Sequence, residues 1–245
     1  ALISASGEMG YPSALTAPTW GFYDVLFDGK PFKFQRNYGS YVMENILFKL
    51  SYPAEFHAQT AVECAVTLHP QVHARFDDIA SIELITHESA IRIISKQGQL
   101  HNAADRDHCL QYMVAIGLLK GNLNAEDYED DVASDPRIDH LRSLMKVSEN
   151  KQFSNDYHDP DKRSIANSMK LLFKDGSESA LITVEYPIGH QRRREEGIPV
   201  LIEKFTRNLA TRFDAKKVAA ISQAMNDTNR LAAMTVTDFM ALWVV

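Results

Sequence analysis

The chain has 245 residues, enough for one large or two modest domains with cores of their own. Its hydrophobic share of 45% and charged share of 24% are those of a globular protein, and no apolar run approaches the ~20 residues that span a bilayer. With 26 basic against 32 acidic side chains the net charge is −6, which argues against a general nucleic-acid binder or a protein of anionic membranes.

Residues 1–20 are rich in Ala, Ser, Gly and Pro; Ile3 to Ser6 reads as the tail of a helix, with Gly7, Gly10 and Pro12 as breakers. They hold no basic region followed by a long apolar stretch, so no signal peptide is expected in them, and the first residue is Ala rather than Met. Residues 20–48 mix Trp20, Phe22, Tyr23, Phe27, Phe32 and Phe34 with glycines. They predict short helices packed by aromatics, a turn at Asp28-Gly29, and a helix or strand from Tyr41 to Leu50.

Lys49 to Glu63 (KLSYPAEFHAQTAVE) is a chain reversal dense in polar groups. Pro53 forces Tyr52 out of the helical region and can itself open a new helix. That helix is expected over Ala54 to Leu68, ended by His69-Pro70, with Glu55, Gln59 and Glu63 on one face. Ile79 to Ile85 predicts a half-buried strand, Glu88 to Ser95 a short helix, and Asp105 to Leu119 a longer one closed by Gly121. The five acids of residues 125–131 read as a solvated face.

Pro136 opens a helix to Met145; Lys146 to Phe153 is expected as a strand and Asn155 to Arg163 as a loop. Met169 to Lys174 and Ala180 to Tyr186 read as a hairpin joined at Asp175-Gly176. Pro199 is expected to start an amphipathic helix bearing Leu201, Phe205, Leu209 and Phe213, followed by helices over Ala215 to Met225 and Thr237 to Trp243. The order is helical, then mixed, then helical again. It predicts an α+β fold in which residues 1–48 and 199–245 are parts of an all-helical domain and residues 49–198 form an inserted α+β domain.

Cys64 and Cys109 stand alone, which encodes neither a disulfide framework nor a cysteine-held cluster and fits a reducing compartment. Asp156, His158, Asp159 and Asp161 have metal-ligand types, but the interposed Pro160 favours a turn, so no metal is expected. Nucleotide-loop, zinc-peptidase and nucleophile-elbow motifs are absent from the sequence.

Arg192, Arg193 and Arg194 lie in GHQRRREEG. Such a run can clamp the carboxylates of a small polyanion, or pair with Glu195 and Glu196 as a surface loop; consecutive residues cannot all face one ligand. His108 and Tyr112, four apart on the expected helix, could exchange protons with a ligand or be satisfied inside the core. Glu55 and His57 have the types of an acid–base pair, but two residues apart on a helix they should diverge.

Several long segments, in order, resemble the 2-methylcitrate dehydratase family (MmgE/PrpD), and its C-terminal half in particular. They are GFYDVLFDG at Gly21 to Gly29, KLSYPAEFHAQTAVECA at Lys49 to Ala65, DRDHCLQYMVAIGLLKG at Asp105 to Gly121, YHDPDKRSIAN at Tyr157 to Asn167, and EYPIGHQRRREEGIPVLIEKF at Glu185 to Phe205. The resemblance implies a helical domain with a smaller α+β lid, and dehydration of 2-methylcitrate to 2-methyl-cis-aconitate in propionate breakdown, with no cofactor. It also implies a family chain much longer than this one.

On that resemblance, Lys49, Tyr52 and one or more of Arg192, Arg193 and Arg194 are expected to bind substrate carboxylates, and Glu55 is a further substrate-binding candidate. His57, His108 and Tyr112 are expected at the reacting centre. The expected partners are a small tricarboxylate and either a second copy, as a homodimer, or the missing N-terminal half. Nucleic acid and membrane are not expected partners, and the expected compartment is the cytoplasm, or the mitochondrial matrix in a eukaryote. Citrate or aconitate as substrate, a decarboxylase, and a silent piece serving assembly are the alternatives.

Overall fold

The structure is a computed structural model that describes residues 2–7, 10, 13–34, 39 and 46–244. The chain divides into two compact units, Ala1–Asn45 and Ile46–Val245.

In the first unit, α1 (Leu2–Ala5) and α2 (Phe22–Phe27) are short. The expected Asp28-Gly29 turn is the left-handed end of α2, with φ of 53° and 70°. Phe22, Phe27, Phe32 and Phe34 form a run of edge-on and tilted rings with centroids 5.1–5.4 Å apart. The Tyr41 to Asn45 stretch of the expected element at 41–50 lies outside the described residues, and residues 46–50 form neither helix nor strand.

The second unit has a four-stranded sheet with helices on it, which is the α+β class the sequence predicts. β1 (Ile79–Thr86) lies between β2 (Met145–Glu149), which is parallel to it, and β3 (Asn167–Phe173), which is antiparallel. β4 (Ile182–Val184) closes the far edge as the second arm of the expected hairpin. Gly176, at φ 83°, makes the turn between those arms.

Two helices fill the core above this sheet. α3 (Gln59–Arg75) buries Ala61, Val62, Cys64, Ala65, Leu68 and Val72. A helix expected to stop at His69-Pro70 thus runs on through the proline. Pro70 leaves the Val66 carbonyl without its usual donor, a cost of roughly 3 kcal/mol in an isolated helix. Burial on both sides of it, at Leu68 and Val72, offsets that cost, and the His69 ring bonds the Leu118 carbonyl at 2.8 Å.

The expected helix from Asp105 to Leu119 is two helices, α5 (Ala103–Arg106) and α6 (Leu110–Lys120), preceded in the chain by α4 (Glu88–Ile94). Asn102 caps α5 by accepting from the Asp105 N–H at 2.9 Å, and Cys109 sits in an extended conformation that restarts the chain. His108 therefore precedes α6, and the shared helical face expected for His108 and Tyr112 does not exist. α6 is apolar all round and buried. Gly117 lets it approach α3, because a Cβ there would lie 2.9 Å from that of Ala65.

α7 (Asp130–Ala133) and α8 (Pro136–Leu144) lead to β2. The strand expected over Lys146 to Phe153 ends early, because Asn150 accepts from the Gln152 and Phe153 N–H groups and caps α9 (Lys151–His158). Half of the loop expected at Asn155 to Arg163 is thus helical.

α10 (Arg194–Ala210) starts one and a half turns before Pro199, where the sequence predicts its beginning. Its Phe205 and Leu209 pack with Phe213 on Val218 and Ile221 of α11 (Ala215–Asn226), forming a small second core. Two short helices follow, α12 (Thr228–Ala233), which Asp227 caps and which the sequence does not predict, and α13 (Val236–Ala241). No helix among the described residues is long and apolar enough to cross a membrane.

Candidate active site

The Tyr-Pro turn delivers Glu55 in an extended conformation, at φ −54° and ψ 144°, ahead of a single 3-10 turn over Phe56–Ala58. Its carboxylate accepts from the His57 N–H at 2.9 Å and meets the His57 Nδ1 at 2.8 Å. The divergence expected of these two residues is corrected by that conformation: Glu55 is a cap and not a helical residue. Burial pushes the Glu55 carboxyl up, but the His57 hydrogen bonds and the charges of His57 and His108 outweigh it and hold the group below its usual range.

A carboxylate only accepts, so Nδ1 of His57 carries a proton and Nε2 points away. Nε2 lies 3.0 Å from the hydroxyl of Tyr157, near the end of α9. Glu55, His57 and Tyr157 thus form one hydrogen-bonded line. Below it, the fully buried His87 ring stacks on Tyr157, with centroids 4.6 Å apart and 11° between planes. Burial, and then the charge of His57, push the His87 ring down to about 4, so it is a neutral platform.

Asn167 at the head of β3 fixes the line from its other side. Its amide donates to the His57 carbonyl at 3.0 Å and to the Thr60 hydroxyl at 2.8 Å. Buried atoms in this region lack partners among the described residues: Thr86 Oγ1, His87 Nε2, Ser164 Oγ and Asn167 Oδ1. Each costs about 1–3 kcal/mol in such a state, and unmet polar groups of this kind gather at functional sites.

The remaining expected residues are placed differently. Tyr112 is buried, its hydroxyl donates to the Asp127 carbonyl at 2.6 Å, and burial raises it to about 12. It stacks on Tyr128, whose hydroxyl holds the Pro53 carbonyl at 2.8 Å, so Tyr112 braces the turn from behind. His108 is exposed beside Asp107 at 2.6 Å, and its charge reaches Glu55. Lys49 is exposed; Tyr52 is half-buried, and burial, followed by Glu63, raises its hydroxyl to about 12.

The three arginines diverge. Arg192 lies over the Tyr186 ring and donates to the Asp161 and Lys162 carbonyls. Arg193 grips Glu63 with two bonds of 2.9 Å and also binds Glu196 and the Tyr186 carbonyl. Arg194 lies over Phe48 and donates to the Ile46 carbonyl at 2.8 Å. Of these, Arg193 is a tether between the loop and α3.

Among the described residues no group of three or more His, Cys, Asp or Glu is placed to hold a metal ion.

Residues 52–229 match the family model for the MmgE/PrpD C-terminal domain. The chain belongs to the MmgE/PrpD family. It is 56% identical over its whole length to the 2-methylcitrate dehydratase of Escherichia coli (strain K12), of which it covers 51%. It is 57% identical over its whole length to that of Cupriavidus necator, covering 51%, and 57% identical to the mitochondrial 2-methylcitrate dehydratase of Yarrowia lipolytica, covering 47%. The chain spans about half the length of the curated relatives it matches.

Tyr157 and Asn167 stand at the two ends of the family segment YHDPDKRSIAN, and that is the one signal in the sequence that points to them. His87 carries none: a histidine before a short helix reads as a cap, which it also is, accepting from the Ala90 N–H.

Proposed function

We propose that this chain is the C-terminal half of a 2-methylcitrate dehydratase, a hydro-lyase of propionate breakdown. The identity of 56–57% along the entire chain to proteins of that name carries the reading. On this reading residues 1–48 and 199–245 belong to a helical domain, residues 49–198 to its inserted lid, and the preceding half of the protein completes the site. The compartment is aqueous: the cytoplasm, or the mitochondrial matrix in a eukaryote, the Yarrowia relative being named as mitochondrial.

The reaction is a β-elimination. A base removes the proton from the carbon beside a carboxylate, the C–H electron pair becomes the second bond of the alkene, and the C–O bond of the tertiary hydroxyl breaks. An acid must protonate the departing hydroxyl. The Glu55–His57–Tyr157 line suits that role. When the His57 ring is protonated it donates from both nitrogens, to Glu55 and to Tyr157, which frees the phenol O–H for the leaving group. A positioned acid or base contributes roughly 10²–10⁴-fold, so cationic groups and orientation supply the rest.

The test is turnover of the full-length protein with 2-methylcitrate and with citrate, followed by the ultraviolet absorbance of the conjugated product. The expected result is a kcat/KM favouring 2-methylcitrate. A preference for citrate, or no alkene from either acid, overturns the reading.

A silent piece serving assembly is favoured by one observation for the chain taken alone: Leu2, Ile3, Trp20, Leu26 and Phe34 are all more than 60% exposed. Association of the isolated chain in size-exclusion chromatography, with no turnover, is the outcome expected if the other half or a second copy covers them.

A further inference from the structure

Beneath the Tyr-Pro turn lies a cavity of about 430 Å³ with Leu50, Pro53 and Leu123 among its apolar walls. Lys204 and Arg207 of α10 line it, three residues apart and so on one face of that helix. Lys49 is close by, its carbonyl taking the Lys204 Nζ hydrogen bond at 2.7 Å. Among the described residues the side chains of Lys49 and Arg207 have no hydrogen bond or ion pair, and Lys204 has only that one. Glu126 also lines the cavity, but no ion pair joins it to either cation.

This crowding is unusual for a chain of net charge −6. Like charges one turn apart repel, and among the described residues no ion pair offsets them. Burial, followed by the charges of Arg207 and Lys49, holds the Lys204 ammonium below the ordinary lysine range. The larger cavity of about 690 Å³ differs in this respect, because its Arg142 already binds Asp139 and the Gly98 carbonyl.

We propose that Lys204 and Arg207 form an anion site for a small polycarboxylate, with Lys49 at its edge. Two cations on one helical face match two carboxylate oxygens, and the apolar walls take the carbon chain between carboxylates. Pro53 lines the cavity and Glu55 follows it by two residues, a span of at most ~7 Å along the chain. The site and the Glu55–His57–Tyr157 line therefore share the Tyr-Pro turn. Its place as a carboxylate subsite of the dehydratase rests on the function proposed above.

Tricarballylate, a tricarboxylate with no hydroxyl to lose, is the probe, titrated by calorimetry into the full-length protein and into its Lys204→Met/Arg207→Gln variant. Both side chains are outside the core, so the variant is expected to fold. Removing two charge-assisted contacts is expected to weaken binding by roughly 10–100-fold, and added salt to weaken it in the parent protein more than in the variant. Equal affinity of parent and variant, or no binding to the parent, overturns the proposal. Inorganic phosphate that competes at equal concentration overturns the assignment to carboxylates. Dehydration of 2-methylcitrate with unaltered tricarballylate binding in the variant sinks the site and spares the function. Binding that depends on Lys204 and Arg207 in a protein that dehydrates nothing does the reverse.

Discussion

Tyr157 lies flat on the buried ring of His87 while its hydroxyl reaches the Nε2 of His57 at 3.0 Å. One contact holds the ring and the other uses its oxygen, so the two can be separated by a single substitution. Tyr157→Phe keeps the stack and removes the hydroxyl. In the full-length protein it is expected to lower kcat by about 10²-fold or more, with the melting temperature nearly unchanged. A variant with parental kcat would remove Tyr157 from the proton path.

Glu55 tests the other end of the line. Glu55→Gln keeps an oxygen to accept from Nδ1 of His57 but removes the negative charge beside the ring. The expected loss in kcat is about 10–100-fold, with a smaller change in KM. Glu55→Ala should be worse, since the ring is then also free to turn. Equal kinetics for parent and Glu55→Gln would mean that the carboxylate serves only as a cap.

The sequence made the sheet and most helices legible because their signals are local: the Ile-rich run of β1, the Asp175-Gly176 turn, the spacing of Phe205, Leu209 and Phe213. It misleads where tertiary packing overrides a local rule. Pro70 is such a place, held by α6 across the core, and the break at Asp107 to Cys109 is another, set by the Asn102 cap and by buried Arg106, which donates to the Tyr128 carbonyl. Of the candidate site, Glu55 and His57 were legible as residue types. Their contact was not, since it depends on one extended residue. Tyr157 comes from 100 positions away and His87 from another element, and spacing alone carries no such information.

The fold should be acid-sensitive through two buried histidines. His87 and His190 are both lowered from 6.5 to about 4, each chiefly by burial. A folded pKa below the unfolded one means that the unfolded chain binds protons first as pH falls. The stability these rings contribute is complete above about pH 6.5 and is lost as pH falls to 4, by about 3 kcal/mol at most for each ring. Glu55, also lowered, loses its contribution only below its usual 4.5. Denaturant titrations across this window should show a shallower pH slope for His87→Phe, which keeps a flat ring and cannot titrate. An unchanged slope would show that His87 takes up its proton in the folded state.

The approach of Gly189 to Phe48 decides whether the Tyr-Pro turn is tied to the arginine loop as described. The Phe48 N–H donates to the Gly189 carbonyl at 3.1 Å, and a Cβ on Gly189 would lie 1.6 Å from the Phe48 carbonyl oxygen. Neither partner is a flexible side chain, so a methyl group there must push the backbones of Gly189 and Phe48 away from each other. Their separation also strains the Arg194 bond to the Ile46 carbonyl and the loop that Arg193 ties to Glu63. Gly189→Ala is expected to cost about 3 kcal/mol or more in urea unfolding. Gly176→Ala is the comparison: its φ is 83° but nothing lies within 4 Å of its Cβ, so only the left-handed conformation resists, at about 1–2 kcal/mol. If Gly189→Ala proves no more costly than Gly176→Ala, the two backbones are not in contact, and the turn bearing Lys49 and Glu55 is not anchored by that loop.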